Sequence, residues 1–297
     1  MWQDGIRLGI APIGWTNDDM PALGGGNTFE QCVSEMALAG FTGSEVGGKY
    51  PKDPAVLQEA LDLRGMRIAS KWFSSFLATR PFEETRQAFE AELDFLAALG
   101  ADRINVSEQS LSIQGDETKA VLDEKPVFTE TEWLRLLDGL NRLGEIASAH
   151  GFRLCFHHHM GTGVQTVAET LRLLDGTDPA HVFLCYDTGH FTFSGEDPLD
   201  VLAAHAHRIG HVHLKDVRPD VLARVKAERW SFLRAVREGV FTVPGDGCVD
   251  FPAVFDALEK SGYQGWLLVE AEQDPALANP FRYAKMAREN IRRMLGI

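Results

Sequence analysis

Four short apolar runs in the second half of the chain each end in side chains that can bind a divalent metal. The runs cover residues 153–159, 182–190, 209–216 and 266–272, and their terminal groups are imidazoles and carboxylates. This mixture of donors suits Mn, Co, Fe or Zn, whereas an all-oxygen site would suit Mg or Ca. Because helix-like segments separate the runs, we expect their ends to converge at one end of a parallel barrel, where such folds build their sites.

The spacing within the runs places pairs of donors on one face of a strand. His211 and His213 are two residues apart, and so are Glu270 and Glu272 if the last strand extends that far. Asp187 closes an apolar run that must be buried, and a buried carboxylate needs a partner. One bound cation would partner all of these groups together.

Some candidate residues have simpler explanations. A single histidine in a strand is more often a hydrogen-bonded core residue than a ligand. His157, His158 and His159 cannot all face inward, because neighbouring side chains of a strand alternate. Glu45 lies in an earlier apolar run at residues 41–46, and Lys71 lies in the next one at residues 67–73. These two residues are either catalytic or paired with each other.

Composition and charge exclude several classes of protein. The 297 residues carry a formal charge of −14, which opposes binding to a phosphate backbone, so we expect no nucleic-acid partner. No apolar run is long enough to cross a membrane, and the first five residues lack the features of a signal peptide. The four cysteines have no CxxC spacing, which is typical of reduced thiols. We therefore expect a cytoplasmic protein.

The elements that position the candidate groups alternate regularly between strands and helices. Strands are predicted at residues 7–14, 41–46, 67–73 and 103–107 and at the four runs above. Helix starts are indicated by Thr28–Gln31, Asp53–Pro54 and Thr129–Glu132. Eight strand–helix units in a chain of this length predict an α/β fold, a single (β/α)8 TIM barrel over residues 1–297. The two long connections, residues 108–128 and 217–249, would lie at the functional end.

Several motifs resemble a known family. The resemblance to the sugar isomerase/epimerase superfamily of xylose-isomerase-like TIM barrels is carried by residues 186–190, 211–216, 244–251 and 265–270. Within that superfamily the chain is most similar to the inosose dehydratases, through residues 11–20, 29–41 and 269–275. The match covers nearly the whole chain. It implies a hydro-lyase that removes water from 2-keto-myo-inositol, a small cyclitol ketone, in inositol catabolism.

The resemblance also implies a metal site. Asp187, His213 and Glu270 match three superfamily ligands, and the fourth position, usually a glutamate, is His157 here. His158 or a water are alternatives for that fourth ligand. The family implies Mn²⁺ or Co²⁺, and barrels of this kind often self-associate as homo-oligomers.

The roles expected of individual residues follow from this scheme. Glu270 would be a ligand and a candidate base, and His190 would contact the substrate or its leaving hydroxyl, with Glu45 and Lys71 as the next catalytic candidates. We expect substrate contacts from five further residues: Trp15, Asn17, His158, Asp216 and Arg218.

Three other functions fit the sequence less well. A metal-dependent ketose isomerase or epimerase would, like the dehydratase, form an enediolate by removal of a proton beside the ketone. However, the chain has a histidine at position 157, where epimerases have one of the two glutamates that they use. An endonuclease is opposed by the charge. A non-catalytic sugar-binding barrel is opposed by the nearly complete set of ligands.

Overall fold

Eight parallel strands form a closed barrel in the computed structural model, which describes residues 5–297. The first and last barrel strands pair with each other, from Ile6 opposite Gly265 to Ile10 opposite Val269, and this pairing closes the sheet. A short antiparallel pair, β8 and β9, lies outside the barrel. The strands are β1 (Ile6–Ile10), β2 (Gly43–Val46), β3 (Arg67–Ser75), β4 (Arg103–Glu108), β5 (Arg153–His157), β6 (Val182–Asp187), β7 (Ile209–Leu214), β8 (Asp216–Val217), β9 (Phe241–Thr242) and β10 (Gly265–Val269). The predicted (β/α)8 barrel is confirmed.

Helices surround the barrel and begin at the residues that the sequence indicates. Thr129 and Glu132 form a reciprocal capping box, and the Asp53 carboxylate accepts the N–H groups of Ala55 and Val56. The helices are α1 (Phe29–Ala39), α2 (Pro54–Asp62), α3 (Phe82–Ala98), α4 (Glu130–Ala149), α5 (Val167–Gly176), α6 (Thr188–Ser194), α7 (Leu199–His205), α8 (Pro219–Glu228), α9 (Phe232–Arg237), α10 (Phe251–Lys260) and α11 (Pro280–Leu295).

The main core lies between the strands and these helices, and a smaller apolar group fills the inside of the barrel. Trp266 and Leu268 of β10 pack there with Ala11 and Ala69. Other strands place polar side chains inside the barrel, including the buried Asn105, His211 and His213. The barrel therefore has an apolar group and a polar group in its interior, and the polar one includes a predicted ligand.

Five of the eight barrel strands (β1, β5, β6, β7 and β10) end earlier than predicted, and three of them do so for identifiable local reasons. After β1 the chain turns at Pro12–Gly14, since Pro12 has no N–H for the sheet. β6 ends at Asp187, whose Oδ1 accepts the N–H groups of Gly189 and His190 and so starts α6. β10 ends at Val269, so Glu270 and Glu272 lie in the loop beyond it. Of the two long connections, the first contains no helix or strand after β4, and the second contains α8, α9 and β9.

The structure also describes the four cysteines and the hydropathy of the helices. Cys32, Cys155, Cys185 and Cys248 are all free, and Cys248 alone among them is exposed. Within residues 5–297, none of the helices combines the length and the apolar character that a membrane span requires. The first residues of the chain, where we looked for a signal peptide, lie largely outside the described part.

Gly43 of β2 makes room for the Trp266 ring, and this contact can be tested. A Cβ at residue 43 would lie 2.2 Å from the ring carbon Cζ3. We expect Gly43→Ala to lower the free energy of unfolding by about 1–3 kcal/mol, because the core must move to admit the methyl group. Urea unfolding measures the change, with Gly26→Ala as the control, since a Cβ there meets no atom within 4 Å. Equal losses in the two variants would contradict the packing argument.

Candidate metal centre

The four predicted ligands meet at the carboxyl ends of neighbouring strands. His157 ends β5, Asp187 ends β6, His213 lies in β7 and Glu270 follows β10. The His157 Nε2 lies 3.3 Å and the His213 Nδ1 lies 3.5 Å from the Asp187 Oδ2. One donor atom from each of the four residues lies within 4.8 Å of the others. The backbone thus brings together two imidazoles and two carboxylates, all of them buried.

The donor atoms of this cluster fit a divalent ion. The His213 Nδ1 and the Glu270 Oε2 are 2.6 Å apart, yet neither atom has a hydrogen-bond partner among residues 5–297. A buried polar atom without a partner costs about 1–3 kcal/mol, whereas an ion placed between them would use both lone pairs. Two nitrogen and two oxygen donors suit Mn, Co, Fe or Zn. The residues present therefore fit a resident metal.

A lysine lies against the cluster and partly balances its charge. The Lys215 Nζ is 2.9 Å from the Glu272 Oε1, 3.4 Å from the Glu270 Oε2 and 3.5 Å from the Asp187 Oδ2. Burial works against the charged form of Lys215, but the three carboxylates prevail and raise its pKa above the usual range. Burial, opposed by the Lys215 ammonium, raises the pKa of Glu272 to about 7.

The cluster opens into a cavity of about 900 Å³ at this end of the barrel. His213 and Glu270 line the cavity, while His157 and Asp187 lie behind them. The rest of the wall combines apolar and polar side chains, and the polar ones include Asp19, Ser74, Gln109, Gln114, His159 and Glu272. Such a mixture of donors and acceptors suits a small polar ligand.

Of the three consecutive histidines, the first and the third face the site and the second points away from it, as the alternation of side chains along a strand predicts. His157 faces the ligand cluster. His158 instead stacks on the Phe191 ring, with centroids 3.6 Å apart, and it does not line the cavity. His159 does line it, and its Nδ1 is 2.9 Å from the Met160 carbonyl oxygen. The structure therefore places His159, and not His158, at the cavity wall.

His190 is close to the cluster but is shielded from the cavity. Its Nε2 lies 3.0 Å from the Lys215 Nζ, and its ring packs on His159 with centroids 4.0 Å apart. Burial, together with the Lys215 charge, holds the pKa of His190 well below its usual value. His190 does not line the cavity, and in this structure it contacts Lys215.

Two residues expected in the pocket wall after β1 hold the local chain instead. The Trp15 Nε1 donates to the Glu35 Oε2 at 2.6 Å. The Asn17 Oδ1 accepts the N–H groups of Asp19 and Met20, each at 2.9 Å. Neither Trp15 nor Asn17 lines the cavity, which is lined in this segment by Thr16, Asp18 and Asp19.

Asp216 and Arg218 also hold backbone rather than the cavity wall. The Asp216 carboxylate accepts four N–H groups at 2.9–3.0 Å, from Val217, Gly245, Gly247 and Val249. The Arg218 guanidinium donates to the carbonyl oxygens of Gly239 and Phe241 and to the Asp246 carboxylate. Neither residue lines the cavity, and the contacts of both shape the long connection after β7.

Glu45 and Lys71 both line the cavity but do not pair with each other. Lys71 forms an ion pair with Glu92 of α3. The Glu45 Oε1 lies 2.9 Å from the His213 Nε2 and 3.1 Å from the His211 Nε2. Glu45 thus contacts the back of a predicted ligand, and Lys71 lies on the side of the cavity near α3.

Known proteins with the same barrel fold are similar to this chain in sequence. A model of the xylose isomerase-like TIM barrel matches residues 33–295. An inosose dehydratase of Geobacillus thermodenitrificans is 62% identical over 292 residues, which cover 98% of each chain. Another, of Clostridium beijerinckii, is 59% identical over 291 residues, again with 98% of each chain covered. The chain belongs to the inosose dehydratase family.

Membership of this family makes the protein an enzyme of the lyase class. Among solved structures, the chain superposes on the IOLI protein, described with a binding zinc atom, with a TM-score of 0.70. The two share 15% sequence identity over 97% of this chain and 96% of the other. At that identity the likeness shows the common barrel fold, whereas the curated relatives carry the family assignment.

Three residues near the centre of the site had no individual role predicted from the sequence: Lys215, Glu272 and His159. Lys215 continues the alternation of His211 and His213 on β7, and that spacing could have found it. Glu272 was recognised as sharing a face with Glu270 but not as part of the cavity wall. His159 gave no signal that distinguished it from its two histidine neighbours.

The Asp216 carboxylate provides a stability test in the connection after β7. Asp216→Asn would present an amide N–H₂ to backbone donors, so we expect a loss of about 1–3 kcal/mol in the free energy of unfolding. Asp256→Asn is the control, because Asp256 is exposed and pairs with Lys260 on the surface of α10. Loss of such an exposed ion pair lowers the free energy of unfolding by about 1 kcal/mol or less. Urea unfolding compares the two, and a control that loses as much as Asp216→Asn would contradict the anchoring role.

Proposed function

We propose that this enzyme removes water from 2-keto-myo-inositol, in a divalent metal-dependent reaction, to give a trihydroxycyclohexane-1,2-dione. The observation that carries the proposal is the cluster of His157, Asp187, His213 and Glu270 beside a cavity with polar side chains in its wall. The names of the curated relatives support the choice of an inosose as substrate. By resemblance to the family, we propose Mn²⁺ or Co²⁺ as the ion. Free thiols in the described residues support a cytoplasmic location.

The reaction has a simple balance of atoms. A proton leaves the carbon beside the ketone, and its electron pair forms a C=C bond as the hydroxyl leaves the next carbon. The proton and the hydroxyl together make one water, and the resulting enol tautomerises to the second ketone. A divalent ion in the cluster would act as a Lewis acid on the ketone and stabilise the negative charge that develops as the proton leaves.

The protein's own groups divide this chemistry by position. Glu270 is the one carboxylate of the ligand cluster that lines the cavity, so it can reach the substrate as a base while it also faces the ion. Glu272 and His159 line the cavity nearby, and on geometry they are better placed than His190 to contact the leaving hydroxyl. Lys215 adds a buried positive charge beside Glu270 and Glu272.

Metal removal tests the proposal directly. We expect chelator-treated protein to be inactive on 2-keto-myo-inositol and to regain activity when Mn²⁺ or Co²⁺ is added. The measurement follows the absorbance of the dione. Equal activity of stripped and reloaded protein would contradict metal dependence, and epimerised ketoses without any dehydration would move the function to the ketose epimerases.

Glu270→Gln tests the double role of this carboxylate. We expect it to abolish turnover, because the amide is a weaker ligand and cannot accept the proton. The matched control is Glu289→Gln, which changes an exposed glutamate of α11 that pairs with Arg293. Steady-state turnover and metal content are measured for both variants. Near-normal activity and metal content in Glu270→Gln would exclude the assignment.

A further inference from the structure

Glu45 lies where donors from three other strands converge. Its Oε1 accepts a hydrogen bond from the Asn105 Nδ2 at 2.7 Å and another from the Ser70 hydroxyl. The same oxygen lies 2.9 Å from the His213 Nε2 and 3.1 Å from the His211 Nε2. The residue is 9% exposed, and its exposed part faces the cavity. One oxygen of Glu45 is thus the shared acceptor of β3, β4 and β7.

The Glu45 contact fits one of the two neutral forms of His213. A neutral imidazole has one N–H donor and one lone-pair acceptor. Carboxylate oxygens face both ring nitrogens, since Nδ1 lies close to Glu270 and Asp187 and Nε2 lies close to Glu45. A divalent ion among His213, Glu270 and Asp187 would need the lone pair of Nδ1, so in the metal-bound protein the proton of His213 belongs on Nε2, where it points at Glu45. The lone pair is then on Nδ1, the atom that lies 2.6 Å from the Glu270 Oε2 and 3.5 Å from the Asp187 Oδ2.

The other donors hold Glu45 in the orientation that this requires. Asn105 also donates to the Ser70 oxygen at 3.0 Å, so Ser70, Asn105 and Glu45 form a closed triangle. His211 adds a donor from the same face of β7 as His213. With four donors at Oε1, rotation of the Glu45 carboxylate would break several buried hydrogen bonds together.

We propose that Glu45 is a positioning residue, which holds His213 with its Nδ1 towards the metal and thereby sets the affinity for the divalent ion. This role differs from that of an acid or base acting on substrate. It rests on the proposed metal-dependent function. Partners of this kind behind a metal-bound histidine typically change metal affinity by about 10- to 100-fold when they are removed.

Two substitutions separate positioning from acid–base catalysis. Glu45→Gln keeps a carbonyl oxygen that can accept from His213 but cannot take up a proton. Glu45→Ala removes the acceptor altogether. The primary readout needs no substrate: Mn²⁺ is titrated into metal-free protein, and the free ion is followed by electron paramagnetic resonance. Turnover at saturating Mn²⁺ is the second readout, and thermal unfolding checks that each variant is folded.

The positioning role predicts a definite pattern. We expect Glu45→Ala to bind Mn²⁺ about 10- to 100-fold more weakly, with most of the turnover regained when the ion is saturating. Glu45→Gln should bind nearly as well as the unchanged protein and remain active, and Glu289→Gln serves as the surface control. If Glu45→Ala does not fold, Glu45→Gln still decides, because an acid–base role predicts that it has no turnover at any Mn²⁺ concentration.

Other results overturn the proposal in distinguishable ways. Unchanged Mn²⁺ affinity in folded Glu45→Ala, or inactive Glu45→Gln with normal affinity, would overturn the positioning role alone. Failure of the unchanged protein to bind any divalent ion would overturn both this role and the metal dependence of the proposed function. Mn²⁺ binding without activity on the inosose would overturn only the substrate, since the affinity comparison does not depend on it.

Discussion

The burial of several negative charges in one small volume is the constraint on which the site depends. Asp187, Glu270 and Glu272 lie together at the end of the barrel, where water cannot stabilise them well. Lys215 contacts all three, but one ammonium does not balance three carboxylates. A divalent ion between Asp187 and Glu270 would supply the remaining positive charge. The same carboxylates would thus favour a bound cation and would provide the groups that bind it.

The closed barrel brings the charged groups together because they lie at the carboxyl ends of three neighbouring strands, β6, β7 and β10. Strands β5, β6, β7 and β10 are neighbours in the sheet, so side chains at their carboxyl ends lie at the same height. Two irregularities adjust the directions. The pairing register shifts between Ser44 and Glu45 in β2 and between Leu184 and Cys185 in β6. Such bulges often redirect side chains near sites, and here each precedes a carboxylate of the polar interior.

The hydrogen-bond network behind the cluster makes the arrangement rigid. Glu45 is held by groups from β3, β4 and β7, and Asp187 is held by the first N–H groups of α6 through its Oδ1 while its Oδ2 faces the cluster. Each carboxylate therefore uses one oxygen for structure. These hydrogen bonds keep the donor atoms aligned before any ligand binds, which reduces the entropic cost of binding.

The sequence by itself determined the barrel and the four candidate ligands. Strand runs, capping residues and the length of the chain set the fold, because hydrophobic periodicity and helix caps are local properties. The residues alone indicated a group of imidazoles and carboxylates that share an ion, since a polar group that closes a buried strand must find a partner. The resemblance to the family then implied which four of them are the ligands. Alternation also restricted the triple at residues 157–159, although it did not choose between the two inward-facing histidines.

Only the tertiary structure decided which polar residues face the cavity and which hold the backbone. Asp216 and Arg218 are charged residues of the kind that bind ligands, yet both bond backbone groups 21 to 33 residues further along the chain. Lys71 met Glu92 rather than Glu45, because α3 packs beside β3. Lys215 forms ion pairs with Asp187 at the end of β6 and with Glu270 and Glu272 after β10. Such partners are distant in sequence, and a local pattern carries no information about them until the barrel closes.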